Sequence, residues 1–238
     1  MHPDDPRWHV SHETIYNAIY AYPRGELKKQ LIALLRQGRS GRRPRSAGQD
    51  RRGQIPEMVS IHVRPPEVHD RLMPGHWEGD FIKGTRNGSA VGTLVDRKTL
   101  FVMLAKMDGC TAQAALEGFA TAFGHIDATL RKTLTYDQGK EMALHEQLAE
   151  RTGLQIYFAD PHSPWQRGIN ENTNGLLRQY LPKNEDLSRF TQRELDQIAW
   201  ALNTRPRKSL GFRTPAEVFF DHCISKRITL DPVVALGI

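Results

Sequence analysis

The sequence predicts an α/β fold: a mixed five-stranded sheet with helices on both faces, preceded by a small helical appendage. Three strand-like runs, 76–82, 90–95 and 100–106, follow one another with only the reversal signals Asn87-Gly88 and Asp96-Arg97 between them, which makes an antiparallel meander. Amphipathic helical stretches then alternate with two further strand-like runs, as βαβ crossovers require. Positive charge crowded before residue 53 sets the appendage apart from the body.

In chain order, residues 11–20 read as a short helix capped by Ser11, with Glu13 in its first turn and Ile15, Ala18 and Ile19 on one face. A second amphipathic helix is expected over 25–37, with Leu27, Leu31, Leu34 and Leu35 on one side and Gly38 as its stop. The following G-R-S-G-R-R-P-R-S-A-G-Q-D-R-R-G has no periodicity and reads as a flexible linker. In the body, 111–123 is expected to be helical, with Leu116, Phe119, Ala120 and Phe123 on one face. Residues 133–137 read as a strand, 140–152 as a helix ended by Gly153, and 155–160 as the fifth strand. A proline-containing loop over 161–167 leads into a helix through 171–180. Thr191-x-x-Glu194 and Thr214-Pro215-x-Glu217 are capping boxes for two more helices, the second with proline at the favoured first position.

With 238 residues, 39% of them hydrophobic, the chain can build one sizeable core plus an appendage. Its two cysteines, Cys110 and Cys223, lack C-x-x-C spacing, which argues against a disulfide framework or zinc ribbon and for a reducing, cytoplasmic home. No apolar run nears the roughly 18 residues of a membrane span, and the start, Met1-His2-Pro3-Asp4-Asp5, is no signal peptide. The net charge of +6 is local: residues 24–52 hold ten Lys/Arg against Glu26 and Asp50. A basic arm on a neutral body is the footprint of phosphate-backbone binding, and Arg42, Arg43 and Arg45 are its candidate DNA contacts.

Three carboxylates carry the candidate chemistry. Asp80 ends W-E-G-D, Asp137 ends T-L-T-Y-D, and Glu171 stands in G-I-N-E-N-T-N-G-L-L-R. Two strand-end aspartates and a helical glutamate can meet at one sheet edge, where hard cations such as Mg²⁺ would take their oxygens. Crowded without a cation, the three would repel one another and stay partly protonated. Two ions about 3.5–4 Å apart can hold the attacking and leaving oxygens of an in-line phosphodiester displacement. Asp80, Asp137 and Glu171 are therefore the candidate catalytic and metal-binding residues, with two Mg²⁺ as cofactor and Mn²⁺ as substitute. Glu78 shares the strand parity of Asp80 and Glu141 lies near Asp137 in sequence; both are set aside as neighbours.

Around them stand candidate DNA contacts. Arg178 follows Glu171 by seven residues, about two helical turns, so it shares that face and can hold a phosphate. Asn174, one turn from Glu171, is a candidate for DNA or metal-water contact. Trp165 can stack on a splayed base or pack in the core, and Arg167 beside it is a further DNA candidate. His162 shares that loop, although a loop histidine is usually not catalytic, and Trp77 reads as a packing residue. Arg205, Arg207 and Lys208, between the two capped helices, can meet phosphates.

The element order, with acids on the first strand, the fourth strand and the last helix of the core, resembles the RNase H-like integrase and transposase fold. W-E-G-D at 77–80, D-Q-G-K-E at 137–141, H-S-P-W-Q-R-G at 162–168 and N-E-N-T-N-G-L-L-R at 170–178, with 33 residues between Asp137 and Glu171, resemble the D-D-E transposases of the IS-thirty insertion-sequence family. The similarity runs from about residue 10 to 222, and 203–218 resembles the segment that closes the catalytic core in that family. The resemblance implies water-mediated cleavage at element ends, followed by attack of the freed 3′-OH on target DNA. It implies as partners the terminal inverted repeats, target DNA and a second copy of the chain, as a homodimer or higher oligomer. Residues 1–22 then read as the remnant of a helix-turn-helix, 23–70 as a helix and basic linker, and 71–232 as the catalytic core. A family member carries further helices upstream of residue 10, so specific end recognition stays open. Rival readings are an inactive or truncated DNA-binding repressor and a general RNase H-type nuclease.

Overall fold

Strand-like alternation is realised as one mixed sheet. The structure, a computed structural model, describes residues 10, 14, 15, 18, 19, 23, 25–34, 55–161, 163–229, 231, 232 and 234. The sheet contains β1 (His76–Lys83), β2 (Ala90–Asp96), β3 (Val102–Lys106), β4 (Thr133–Tyr136) and β5 (Gln155–Phe158) in the order β3-β2-β1-β4-β5. β1, β2 and β3 form the expected antiparallel meander, while β4 adds parallel to β1 and β5 parallel to β4. The β2–β3 reversal is tied by the Asp96 carboxylate, which accepts from the backbone N–H groups of Gly75, Lys98 and Thr99 and from the Thr99 hydroxyl.

The N-terminal unit, 1–50, contains α1 (Glu26–Ala33), whose first-turn Glu26 pairs with Lys29. Residues 14, 15, 18 and 19 are helical. The helix expected over 25–37 ends at Ala33, with Leu34 as its cap residue; the positions Ser11 and Glu13, the stop expected at Gly38 and the linker arginines Arg42, Arg43 and Arg45 lie outside the described residues, as does His162.

The second unit, 51–238, has the helical turn α2 (Glu67–Asp70), then α3 (Ala112–Gly124), α4 (His145–Thr152), α5 (Gly168–Leu177), α6 (Gln192–Asn203) and α7 (Pro215–Lys226). Helix α3 starts where Thr111 accepts from the Ala114 N–H at 3.1 Å, and α4 ends at Gly153 in the left-handed region, φ 77°. Both capping boxes form as expected, Thr191 with Glu194 and Thr214 with Glu217. Along β1, Trp77 and Phe81 face the core beneath α3 and α7, where Trp77 meets Phe123 edge-on at 5.7 Å and Phe101 stacks on Phe219 at 4.4 Å. The intervening residues Glu78, Asp80 and Ile82 face the opposite side, which α5 covers. Helix α6 lies along the outer strand β3. Its side-chain amides bond that strand's backbone: Asn203 takes the N–H and C=O of Val102, and Gln192 takes Lys106 N–H and Leu104 C=O.

Two expectations are corrected. The single helix expected over 140–152 is a turn at Lys140–Met142 followed by α4, because Met142 is drawn into the core while Glu141 reaches back to Lys83 at 3.4 Å. The loop 161–167 contains a helical turn, Pro164–Arg167, that runs straight into α5, so the helix bearing Glu171 starts before 171 and ends at Leu177 rather than 180. The compact unit starts at Arg51, and residues ahead of 71 pack into it. Ile55, Ile61 and Val68 are buried, Arg64 donates to the Thr135 hydroxyl at 2.8 Å, and Val59 C=O accepts from Phe158 N–H. No described helix is long and apolar enough to cross a membrane.

Candidate active site

Parallel pairing brings the two aspartates together. Glu78 on β1 is level with Thr135 on β4, and extending that register by two residues sets Asp80 level with Asp137, just past the end of β4. Gly79 makes the approach possible: a Cβ there would come within 2.8 Å of the Tyr136 ring. The glycine of W-E-G-D is thus a contact requirement between neighbouring strands.

Each carboxylate is oriented by neutral donors and shares one cation. Asp80 accepts from Phe81 N–H at 2.8 Å and from the Asn174 amide on α5 at 3.0 Å, and Asp137 accepts from Gly139 N–H at 2.9 Å. The Arg167 guanidinium lies between them, 3.5 Å from Asp80 and 3.2 Å from Asp137. It also donates to Gly79 C=O at 3.0 Å and sits 5.9 Å from the Tyr136 ring centroid. Burial pushes the Asp80 carboxyl up to about 6; Arg167 opposes that shift, while Asp137 and Glu141 add to it. Two buried oxygens at this edge, Asn174 Oδ1 and the Tyr136 hydroxyl, have no hydrogen-bond partner among the described residues. An oxygen-only donor set, crowded negative charge and an unused amide acceptor beside it fit a hard divalent cation with its bound water.

Glu171 stands apart from this pair. It is exposed on α5, one turn before the Asn174 that touches Asp80. Among the described residues no group of three or more His, Cys, Asp or Glu side chains is gathered closely enough to hold a metal ion. The expected three-carboxylate cluster is thus not preassembled. Two members meet, and the charge between them is balanced by Arg167, which the sequence assigned to DNA.

The remaining candidates are dispersed around the edge. Arg178 is half-buried, donates to Leu181 C=O at 3.2 Å and lies within electrostatic range of Asp80. Trp165 is 70% exposed rather than packed in the core. Arg205 donates to the Tyr180 hydroxyl at 3.3 Å, and Lys208 is exposed in the connection between α6 and α7. Glu141, set aside from sequence, does reach the site electrostatically although it is bound to Lys83.

Glu78, also set aside, anchors a closed network below the site. It pairs with the buried Arg97 and accepts from Asn170 N–H at 2.9 Å, while the Asn170 amide donates to Glu78 C=O at 2.9 Å. Thr93 completes the network by donating to Asn170 Oδ1 at 3.0 Å. This network holds the first turn of α5, and hence the residue before Glu171, against β1 and β2. The N-E-N spacing carried a signal for it only once parity had placed Glu78 under α5.

Comparison with known proteins bears on the same residues. Residues 70–164 match the integrase core domain family, a span that includes both aspartates. The transposase for insertion sequence element IS1086 of Cupriavidus metallidurans is 66% identical over 216 residues, which cover 91% of this chain and 64% of that relative. Transposase InsI for insertion sequence element IS30A of Escherichia coli K12 is 43% identical over 212 residues, 88% of this chain and 55% of the relative. The transposase for insertion sequence element IS4351 of Bacteroides fragilis is 42% identical over 214 residues, 88% of this chain and 64% of the relative. The chain thus spans somewhat less than two thirds of the length of each.

Proposed function

We propose that the chain is a transposase of the IS30 type, as the relatives it resembles are, and that it cuts DNA at the ends of such an element and joins the freed 3′-OH to target DNA. The single observation that supports this most is the Asp80–Asp137 pair at one sheet edge, flanked by an amide oxygen that has no partner among the described residues. Asp80, Asp137 and Glu171 would hold Mg²⁺, two ions in full occupancy, or Mn²⁺ in its place. When bound, the metal supplies charge neutralisation and activation of the attacking oxygen.

The chain's own groups do the rest. Asn174 fixes one Asp80 oxygen through its amide N–H and leaves its own oxygen free to orient a water. Arg178 places positive charge beside Asp80, where a scissile phosphate would lie. Trp165 offers an exposed ring on which a base at the DNA end can stack. Arg205, Lys208 and the basic segment with Arg42, Arg43 and Arg45 take the flanking phosphates, an affinity that falls steeply with salt. Residues 71–232 carry the chemistry, with 55–68 packed into the same unit, and the segments before residue 51 the grip on DNA. Two element ends must be brought together, so the working form is a dimer or larger assembly on DNA in the cytoplasm.

The test is cleavage and joining of a duplex bearing the element's own terminal repeats, in Mg²⁺, by this chain and by its Asp137→Asn variant. Cleavage and strand joining by the first and neither by the second supports the proposal. Equal cleavage by both, or by neither, overturns it, and degradation of RNA–DNA hybrids without joining would indicate a nuclease instead.

A further inference from the structure

We propose that Arg167 is a built-in counter-cation, holding Asp80 and Asp137 together before a divalent ion binds and giving up both carboxylates when it does. This rests on the reading of the aspartate pair as the cation site. One guanidinium reaches both carboxylates, at 3.5 Å and 3.2 Å. Both distances exceed the 2.7–2.9 Å typical of tight charge-assisted hydrogen bonds, so the bridge is loose enough to exchange. Its firmer contact is the 3.0 Å bond to Gly79 C=O.

Sharing is electrostatically disfavoured. A divalent ion beside the guanidinium repels it twice as strongly as a monovalent one at the same distance. A divalent ion between the aspartates therefore displaces the guanidinium. Room for it exists: a cavity of about 170 Å³ opens beside Arg167, lined by Asp137, Gln138, Asp160 and Ser163 among others. Arg167 is the last residue of the Pro164–Arg167 turn and the cap position of α5. Its release thus frees a cation next to the helix that carries Glu171, where a phosphate can take it up. In this reading, loading of the metal and arming of a phosphate contact are one exchange.

The experiment measures Mn²⁺ binding to the whole chain without DNA, by calorimetry and by loss of the free-ion electron paramagnetic resonance signal, in wild type, Arg167→Gln, Arg167→Lys and Asp137→Asn. The expected result is a half-saturating concentration about tenfold lower for Arg167→Gln, because the competing charge is gone. Arg167→Lys falls between that variant and wild type, since a point charge cannot bridge both carboxylates, and Asp137→Asn loses the binding. A residue needed only for structure would weaken binding when removed, the opposite sign. If binding depends on Asp137 but neither arginine variant binds more tightly, the counter-cation proposal is wrong while the aspartate site stands. If no protein shows Asp137-dependent binding, the site assignment fails and takes the proposal with it.

Discussion

Glu78 and Asp80 lie two residues apart on β1 and point to the same side of the sheet, yet their surroundings are opposite. Glu78 is closed in: Arg97 neutralises it, Asn170 N–H binds it, and α5 covers it. His76, one further step down the same face, is equally enclosed and bonds the Thr133 hydroxyl at 3.0 Å. Asp80, at the rim, is 26% exposed, shares a bridging arginine with Asp137 and lies beside an amide oxygen with no partner among the described residues. The lower carboxylate is spent on holding the helix to the sheet. The upper one is left electrostatically unfinished, which is what a group awaiting a ligand requires.

The contrast breaks most sharply at its rim. Asp80→Asn is expected to lower Mg²⁺-dependent cleavage by about a thousandfold or more while leaving thermal stability unchanged or raised, since a partly buried charge is removed. Loss of folding with the activity, seen by circular dichroism, would make Asp80 structural instead. Glu78→Ala is the mirror case. Leaving Arg97 buried and unpaired costs about 3–5 kcal/mol in urea unfolding, and a stability change near zero would erase the distinction drawn between the two carboxylates.

His76 sharpens the closed end through pH. Burial lowers its pKa from 6.5 to about 4, with Lys132 adding to the shift and Glu67 opposing it, so the folded state resists its protonation. The stability this contributes is present above pH 6.5 and is lost as pH falls from there toward about 4. It amounts to at most about 3 kcal/mol. Unfolding midpoints of wild type and His76→Gln measured across that window should converge as pH drops; parallel curves would contradict the burial argument. The smallest effect belongs to exposed Trp165. Trp165→Ala should shift stability by about 0.5 kcal/mol or less, whereas affinity for single-stranded ends should fall by about 1–3 kcal/mol. An unchanged affinity would remove the stacking role.

Much of the fold was legible because its signals are local. The alternation of Trp77 and Phe81 with Glu78 and Asp80, the capping boxes at Thr191 and Thr214, and Gly153 after α4 are each written within a few residues. The strand-end positions of both aspartates were legible, but the register that sets Asp80 level with Asp137 belongs to the pairing of β1 with β4 and is not written in either strand alone. What stayed hidden depends on distant partners. The ion pair of Arg97 with Glu78, the turn of Glu141 toward Lys83, and the capture of Arg167 by the aspartates join groups far apart in sequence, and residue type alone does not choose among the arginines. The position of Glu171 depends on the pitch and start of α5, which its periodicity left uncertain by several residues.

The amides of Gln192 and Asn203 have a consequence for how copies of this chain can meet. By occupying the outward hydrogen-bonding groups of Val102, Leu104 and Lys106, they stand in for a sixth strand. That margin of the sheet is sealed against β-augmentation. A second copy of the chain therefore cannot continue the sheet across that border, and contacts made there fall to helix faces and loops.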